Sequence, residues 1–172
     1  LDDLILQRQL GEGAFGKVYL VKEKKTNALF AAKILKNALT DINKESKLDF
    51  QREVNIISKL IHPSIIKFYG YSPTNFKNKF KPVIINEYAV NGSLENLFRL
   101  ERTCKPNKKW NDTRKLIFIY GIASAMTYLH LHDIIHRDLK LDNILLDEFL
   151  FPKIADFGLS KSYNDQIKSM DN

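Results

Sequence analysis

The hydrophobic pattern of this chain changes its period about half-way along, and this change constrains the fold more than any other feature. Up to the turn signal Asn91-Gly92, most apolar segments are short, alternate with polar residues and are separated by polar turns, as strands are. Beyond it, apolar residues recur mainly at helical spacing, above all in residues 112–132. The sequence therefore predicts an α+β chain in which a strand-rich part, residues 1–90, precedes a helix-rich part, residues 91–172.

Individual strands and helices follow from the same patterns and from turn and capping residues. Five strands are predicted, at residues 4–10, 15–22, 28–35, 65–71 and 83–88. Three helices are predicted, at residues 46–60, 94–100 and 112–132. Ser93 and Asp112 are suited to cap the second and third helices, and His62-Pro63 is expected to end the first. The predicted buried side of the third helix carries Leu116, Ile119, Ile122, Ala123, Met126 and Leu129.

The formal net charge of +7 raises the question of a nucleic-acid partner. The lysines, however, are dispersed over several polar loops, without a basic helix or interleaved aromatic residues. Charge in solvated loops explains this distribution, so no specific nucleic-acid partner is expected. A nucleic-acid-binding module stays open only as an alternative that salt-sensitive binding would have to support.

Cysteine content and hydropathy exclude two further classes. The single cysteine, Cys104, allows neither an internal disulfide nor a cysteine-based metal cluster. The most apolar stretch, residues 116–129, is shorter than the roughly 20 residues that a membrane span needs, and we expect a buried helix there. The N-terminal segment lacks the basic region and the cleavage site of a signal peptide. The expected location is therefore cytoplasmic, with no membrane span.

A glycine-rich turn, GEGAFGKV, occupies the connection between the first two predicted strands. Because a strand follows it, a dinucleotide-binding fingerprint is excluded, and it also lacks the Gly-Lys-Ser/Thr ending of a P-loop. Gly11, Gly13 and Gly16 would let backbone N–H groups approach phosphate oxygens closely. An ordinary tight hairpin is the alternative interpretation.

Lys33 lies among small apolar residues on the third predicted strand, where a lysine must extend to solvent or find a partner. Glu53, twenty positions later, lies on a largely apolar predicted helix. We predict an ion pair between the two. The alternatives are that Glu53 is a solvated helix charge or that Glu45 takes its place.

The run HRDLKLDN, followed by DFG, brings together three groups suited to one reaction. Asp138 can accept a proton from an attacking hydroxyl. Asn143 and Asp156 offer hard oxygen ligands of the kind that Mg²⁺ prefers.

In their order and spacing, these motifs resemble those of the protein kinases. The resemblance implies a bilobal kinase-like fold, with an antiparallel strand-rich N-lobe and hinge in residues 1–90 and an incomplete helical C-lobe in residues 91–172. It implies ATP and Mg²⁺ as cofactors. It also implies transfer of a phosphoryl group to hydroxyls of a protein substrate.

The resemblance also assigns roles to single residues. Asp138, Lys140, Lys33 and Glu53 match catalytic positions, and Asn143 and Asp156 match the Mg²⁺ ligands. The positions that match the nucleotide site are Leu10, Gly11, Glu12, Gly13, Ala14, Phe15, Gly16, Lys17, Val18, Ala31, Lys33, Glu87, Ala89 and Leu145. The stack of side chains that links the lobes in this family is matched by Ile57, Phe68, His136 and Phe157. Asn86 stands at the position that guards the back of the nucleotide pocket, where larger or β-branched residues are usual.

Lys140 favours a serine/threonine acceptor, since tyrosine kinases usually carry alanine and arginine residues in this part of the motif. The phrases NEYAVNGSLENL and DFGLSK resemble the tyrosine-kinase-like group of serine/threonine kinases. The resemblance stops at SYNDQIKSMDN, so we expect a C-terminally truncated kinase domain that is poorly stable and inactive by itself. A non-catalytic kinase-like scaffold or a nucleotide-binding fragment is the alternative, and oligomeric state stays open.

Overall fold

A computed structural model describes residues 1–13, 16–36, 44–103 and 110–162; the side chains of residues 44–47 and 49 are outside this description. The chain forms two compact units. Unit 1 comprises Leu1–Lys59 and Lys67–Tyr88, and unit 2 comprises Leu60–Ile66 and Ala89–Asn172. The predicted domain limit at residue 90 stays a prediction.

Unit 1 is an antiparallel five-stranded sheet with one helix. The strands follow the order β1-β2-β3-β5-β4 across the sheet. Their bounds are β1 Leu4–Glu12, β2 Gly16–Glu23, β3 Leu29–Leu35, β4 Phe68–Ser72 and β5 Val83–Glu87, and the helix is α1, Lys44–Ile57. The structure thus confirms that the first half of the chain is rich in strands and that it contains five of them.

The two faces of this sheet differ in chemistry. One face is a hydrophobic core made by the buried side chains of Val21, Ala32, Val83 and Ile85. The opposite face carries the residues that alternate with these, including Lys33, which pairs in register with Val18 and with Ile84. Lys33 therefore lies on the face opposite the apolar core of the sheet.

Within the described residues, unit 2 contains two helices and two short strand pairings. The helices are α2 Leu94–Arg102 and α3 Asp112–Leu131, and the short strands are β6 Ile134–Ile135, β7 Ile144–Leu146, β8 Pro152–Ile154 and β9 Lys161–Ser162. Strand β6 pairs with β9 and β7 pairs with β8, both antiparallel. A 3-10 turn, Leu141–Asn143, leads into β7. The core of unit 2 is formed by Leu94, Leu97, Trp110, Phe118, Ile144, Leu146 and Leu150. Within the described residues, no helix is both long enough and apolar enough to cross a membrane.

Residues 60–66 pack with unit 2, although they connect two elements of unit 1. The prediction of a strand from residue 65 is wrong at its start, because β4 begins at Phe68. Ile65 instead forms a parallel bridge with Ile154, and the N–H of Ile66 donates to the Ile154 carbonyl. Helix α1 also ends before the predicted limit, at Ile57 rather than beside His62.

The capping predictions are half correct. Ser93 caps α2, as predicted, because its hydroxyl accepts a hydrogen bond from the Asn96 N–H. The predicted cap Asp112 is wrong, since Asn111 caps α3 by accepting from the Arg114 N–H at 3.0 Å. Asp112 is the first helical residue, where its negative charge favours the positive end of the helix dipole.

The predicted buried side of α3 is wrong in part. The buried residues are Phe118, Gly121, Ala125 and Leu129. Leu116 is 69% exposed and Ile119 63% exposed. Apolar residues occur on every side of this helix, so their spacing does not single out one face. The contact that selects the face is made at Gly121, which lies against Pro152 and Ser64.

We predict that Gly121→Ala destabilises unit 2 by about 1 kcal/mol. A Cβ at this position would lie 2.6 Å from Pro152 Cγ and 2.9 Å from Ser64 Oγ. Overpacking of about 1–3 kcal/mol then outweighs the 0.5–1 kcal/mol that alanine gains over glycine in a helix. Denaturant unfolding measures the change. Ala123→Leu, on the exposed side of the same helix, is the control and should change stability by less than about 0.5 kcal/mol. Equal stability of Gly121→Ala and the wild type would contradict this packing.

Candidate active site

Unit 1 contains the predicted ion pair. Lys33 Nζ lies 2.7 Å from Glu53 Oε1, and the two side chains are 13% and 7% exposed. Strand β3 supplies the lysine and α1 supplies the glutamate, from elements that are otherwise largely apolar. A pair so well screened from water holds the ammonium group at a defined position. The prediction that Glu53 is the partner of Lys33 is confirmed.

The glycine turn joins β1 to β2. Ala14 and Phe15, both predicted to contact nucleotide, lie outside the described residues. The N–H of Gly13 donates to the Gly16 carbonyl at 2.9 Å, which closes the turn. A Cβ on Gly16 would lie 2.3 Å from the Ile34 carbonyl oxygen, so only glycine fits there. Apart from chain neighbours, no heavy atom of the described residues lies within 4 Å of a Cβ built on Gly11 or Gly13, so the backbone at these positions is open to a ligand.

Glu12 is held beside the glycine turn by two lysines. Its carboxylate lies 3.3 Å from Lys17 Nζ and 3.5 Å from Lys36 Nζ. The hydrogen bond from Lys17 is the main cause that holds the pKa of Glu12 below its usual range, and Lys36 adds to it. Lys36 was not singled out by sequence motifs, because nothing in the local pattern links it to Glu12.

The remaining predicted nucleotide contacts of unit 1 lie on the sheet. Leu10 is at the irregularity of β1 between Gln9 and Gly11, and Val18 pairs with Gly11. Ala31 pairs with Asn86 across β3 and β5. All three predicted residues (Leu10, Val18 and Ala31) are half-buried. Glu87 at the end of β5 exchanges hydrogen bonds with Lys67, whose N–H donates to the Glu87 carboxylate at 3.1 Å.

Two further predicted nucleotide contacts, Ala89 and Leu145, belong to unit 2. The Asn91-Gly92 turn brings them near each other: Gly92 N–H donates to the Ala89 carbonyl, and the Gly92 carbonyl accepts from the N–H of Leu146. Leu145 also bridges to Ser93. These contacts place both residues at the start of the helical unit.

Asp138, Lys140 and Asn143 form one hydrogen-bonded cluster in unit 2. Lys140 Nζ donates to Asp138 Oδ2 at 2.8 Å. Asn143 Nδ2 donates to the same oxygen at 2.8 Å and to the Asp138 carbonyl at 2.9 Å. Two donors therefore fix the carboxylate of Asp138 from two sides, and Asn143 is itself buried.

This cluster shifts two pKa values in opposite directions. The hydrogen bond from Lys140 is the largest cause that lowers the pKa of Asp138, and Asn143 lowers it further. The same contact raises the pKa of Lys140. Both groups are thus charged at neutral pH. A weakened base is still able to orient a hydroxyl group, and its basicity increases if Lys140 turns towards another anion.

The hairpin of β7 and β8 brings the segment that carries Asp156 next to Asn143 in space. Asn143 precedes β7 and Ala155 follows β8, and the Ala155 N–H donates to the Asn143 carbonyl at 2.9 Å. Asp156 comes next, with a φ of 65°, in the left-handed region that non-glycine residues rarely adopt. Such strain is concentrated at functional sites in proteins.

The oxygen donors present here fit Mg²⁺ better than a transition metal. The amide nitrogen of Asn143 is engaged by Asp138, which leaves Oδ1 as the free end of that amide. The Asp156 carboxylate is the second hard donor. Among the described residues, no group of three histidine, cysteine or acidic side chains forms a closed metal cage. Mg²⁺ typically takes one or two protein ligands and completes its shell with water and substrate phosphate.

His136 holds the segments that carry Asp138 and Asp156 together. It is 1% exposed and stacks edge-to-face on Phe157, with ring centroids 5.0 Å apart. Its Nδ1 accepts from the Asp138 N–H at 3.3 Å, so its Nε2–H donates to the Ala155 carbonyl at 3.1 Å. The ring is therefore neutral, and burial lowers its pKa below the usual value. The stack with Phe157 matches the prediction for these two residues.

Ser160 is a supporting residue that sequence reasoning missed. Its buried hydroxyl donates to the His136 carbonyl at 3.1 Å. A serine two residues after DFG carries no signal of this contact, because the partner is a backbone atom 24 residues away.

We predict that His136 makes stability depend on pH. Because its pKa is lowered in the folded chain, the unfolded chain takes up a proton first as the pH falls below about 6.5. Stability should therefore fall from pH 7 towards pH 5 and level off below the folded pKa. His136→Gln can keep both hydrogen bonds without titrating, so its melting temperature should fall less over this range. Thermal unfolding at a series of pH values tests this, and parallel curves for both proteins would refute it.

Known proteins resemble this chain over almost its whole length. Residues 4–172 match the protein kinase domain family. An Aurora kinase of Yarrowia lipolytica is 40% identical over 161 residues, which cover 93% of this chain and 40% of that protein. An Aurora kinase of Saccharomyces cerevisiae is 38% identical over 161 residues, covering 93% and 41%. NUAK family SNF1-like kinase 1 of Homo sapiens is 41% identical over 159 residues, covering 92% and 22%.

The chain spans about two fifths of the length of the Aurora kinases it matches. The match to the kinase domain takes in both units, including the glycine turn, the Lys33–Glu53 pair and the cluster around Asp138. An α+β fold with an antiparallel N-terminal sheet followed by helices is the fold that this match implies. The chain belongs to the protein kinase family.

Proposed function

We propose that this chain carries the phosphoryl-transfer residues of a protein serine/threonine kinase. The observation that supports this most directly is the double hydrogen bond that Lys140 and Asn143 make to the Asp138 carboxylate. A structural aspartate in a surface loop does not need a buried asparagine and a lysine on the same oxygen. A carboxylate that must receive a substrate hydroxyl in one orientation needs such donors to fix its position.

In the proposed reaction, Asp138 orients the hydroxyl of a serine or threonine and receives its proton. The hydroxyl oxygen forms a bond to the terminal phosphorus of ATP as the bond from that phosphorus to the bridging oxygen breaks, leaving ADP. Lys140, next to Asp138, is placed to balance charge on the transferring group. Mg²⁺, held by Asn143 and Asp156, would neutralise phosphate charge when bound. Most of the rate enhancement then comes from positioning the two reactants and from stabilising charge on the transferring phosphoryl group.

We further propose that unit 1 binds the phosphates of ATP. The exposed backbone of the glycine turn would lie against the phosphates, and Lys33, fixed by Glu53, would meet the α- and β-phosphates. The ring of adenine would rest on the half-buried apolar residues Val18 and Ala31. The remaining proposed contacts come from the residues predicted from the sequence, namely Leu10, Glu12, Ala14, Phe15, Gly16, Lys17, Glu87, Ala89 and Leu145.

Serine/threonine specificity is supported by Lys140 and by the names of the relatives, which are Aurora and SNF1-like kinases. The finer placement in the tyrosine-kinase-like group gains no support from these relatives and rests on sequence phrases alone. Protein substrates follow from kinase family membership. A non-catalytic scaffold has no observation in its favour, since every predicted catalytic side chain is present.

We predict that Asp138→Asn lowers kcat by a factor on the order of 10²–10⁴, as loss of a general base does, with little change in the Kd of ATP. Steady-state phosphorylation of a serine peptide by the full-length protein measures kcat, and calorimetry measures Kd. Asp142→Asn, in the same loop with an exposed carboxylate, is the control and should keep wild-type kcat. Wild-type turnover by Asp138→Asn would exclude this residue as the proton acceptor.

We predict that Lys33→Met abolishes turnover and also destabilises the fold, since Glu53 then lacks its buried partner. The double variant Lys33→Met/Glu53→Leu should recover stability, because an apolar pair replaces the ion pair, yet remain inactive. Thermal unfolding and ATP turnover separate the two effects. Lys25→Met, in the exposed β2–β3 hairpin, should behave as the wild type. Activity in the double variant would show that Lys33 serves packing alone.

A further inference from the structure

Asn86 lies on the same face of the unit 1 sheet as Lys33. It pairs in register with Ala31 on β3 and with Phe68 on β4, while Lys33 pairs with Ile84, two residues before Asn86 on β5. Directly paired residues share a face, and residues two apart on a strand do as well. Asn86 is therefore a diagonal neighbour of the lysine that we assign to the phosphates.

The amide oxygen of Asn86 is buried and accepts no hydrogen bond from any described residue. Its flanking residues in the ladder, Ala31 and Phe68, offer no side-chain donor. A buried acceptor without a donor is destabilising, and almost all such atoms in folded proteins find a partner. A ligand can supply the donor that the described residues lack.

We infer that Asn86 Oδ1 accepts a hydrogen bond from the exocyclic amine of bound adenine. This rests on the proposed function and specifies which base the site selects. The apolar neighbours Ala31 and Phe68 suit a flat ring and not a ribose or a phosphate, and Lys33 marks the side of the phosphates. In ATP the exocyclic amine is the only N–H donor of the base.

Binding measurements with a pair of nucleotides test this. The Kd values of Mg·ATP and of Mg·purine riboside triphosphate, which has hydrogen in place of the amine, are measured by calorimetry on the full-length protein. Wild type, Asn86→Leu and the control Asn55→Leu are compared; Asn55 is an exposed asparagine of α1. Melting temperatures without nucleotide are measured for all three.

The expected result is a wild-type preference for ATP that falls at least about fivefold in Asn86→Leu and is unchanged in Asn55→Leu. Without nucleotide, Asn86→Leu should melt at or above the wild-type temperature, because leucine removes a buried amide oxygen that has no donor. An unchanged preference in Asn86→Leu, or a lowered melting temperature with no change in preference, would overturn the inference. Both outcomes leave the proposed function standing if Lys33→Met still weakens ATP binding. Failure of the wild type to bind either nucleotide would overturn the proposed function as well.

Discussion

The hydrogen bond from His136 Nε2 to the Ala155 carbonyl is the contact on which the arrangement of unit 2 depends. It joins the loop that carries Asp138 to the strand end that carries Asp156. The same ring, through Nδ1, accepts from the Asp138 backbone N–H. One neutral imidazole therefore sets the spacing of two carboxylates that lie 18 residues apart in sequence. Protonation would remove the acceptor at Nδ1, and burial disfavours that protonation.

The backbone around this ring is held in unusual conformations by the same bonds. Arg137, between the ring and Asp138, has a φ of 67°, and Asp156 has a φ of 65°. Each of these two backbone conformations is energetically unfavourable, and contacts outside the local turn have to offset that cost. Ser160 adds a buried hydrogen bond to the His136 carbonyl, and Phe157 packs against the ring. These bonds maintain two strained residues beside the carboxylates, at the point where orientation matters most.

Sequence reasoning predicted well those features that local pattern determines. Alternation identified all five strands of unit 1, and Ser93 was identified as a cap because its hydroxyl acts on a neighbour three residues away. The Lys33–Glu53 pair was also predicted, since a lysine and a glutamate on apolar elements each need a partner. The buried face of α3 was not, because Leu116 and Phe118 are equally apolar and only the contact at Gly121 distinguishes their sides. Features set by distant packing are not encoded in a local period.

The same distinction separates Lys33 and Asn86, which lie on the same face of the unit 1 sheet. Lys33 finds Glu53 within the chain, so its presence in an apolar strand is explained by folding alone. The amide oxygen of Asn86 accepts no hydrogen bond from the described residues, so folding alone leaves this acceptor unpaired. A buried acceptor without a donor costs stability in the free chain, and a ligand that donates to it offsets that cost. Lys33 holds a positive charge in position before any ligand binds. Asn86 contributes only when a ligand is bound. Affinity for nucleotide and selectivity for its base would thus come from different residues of one sheet face.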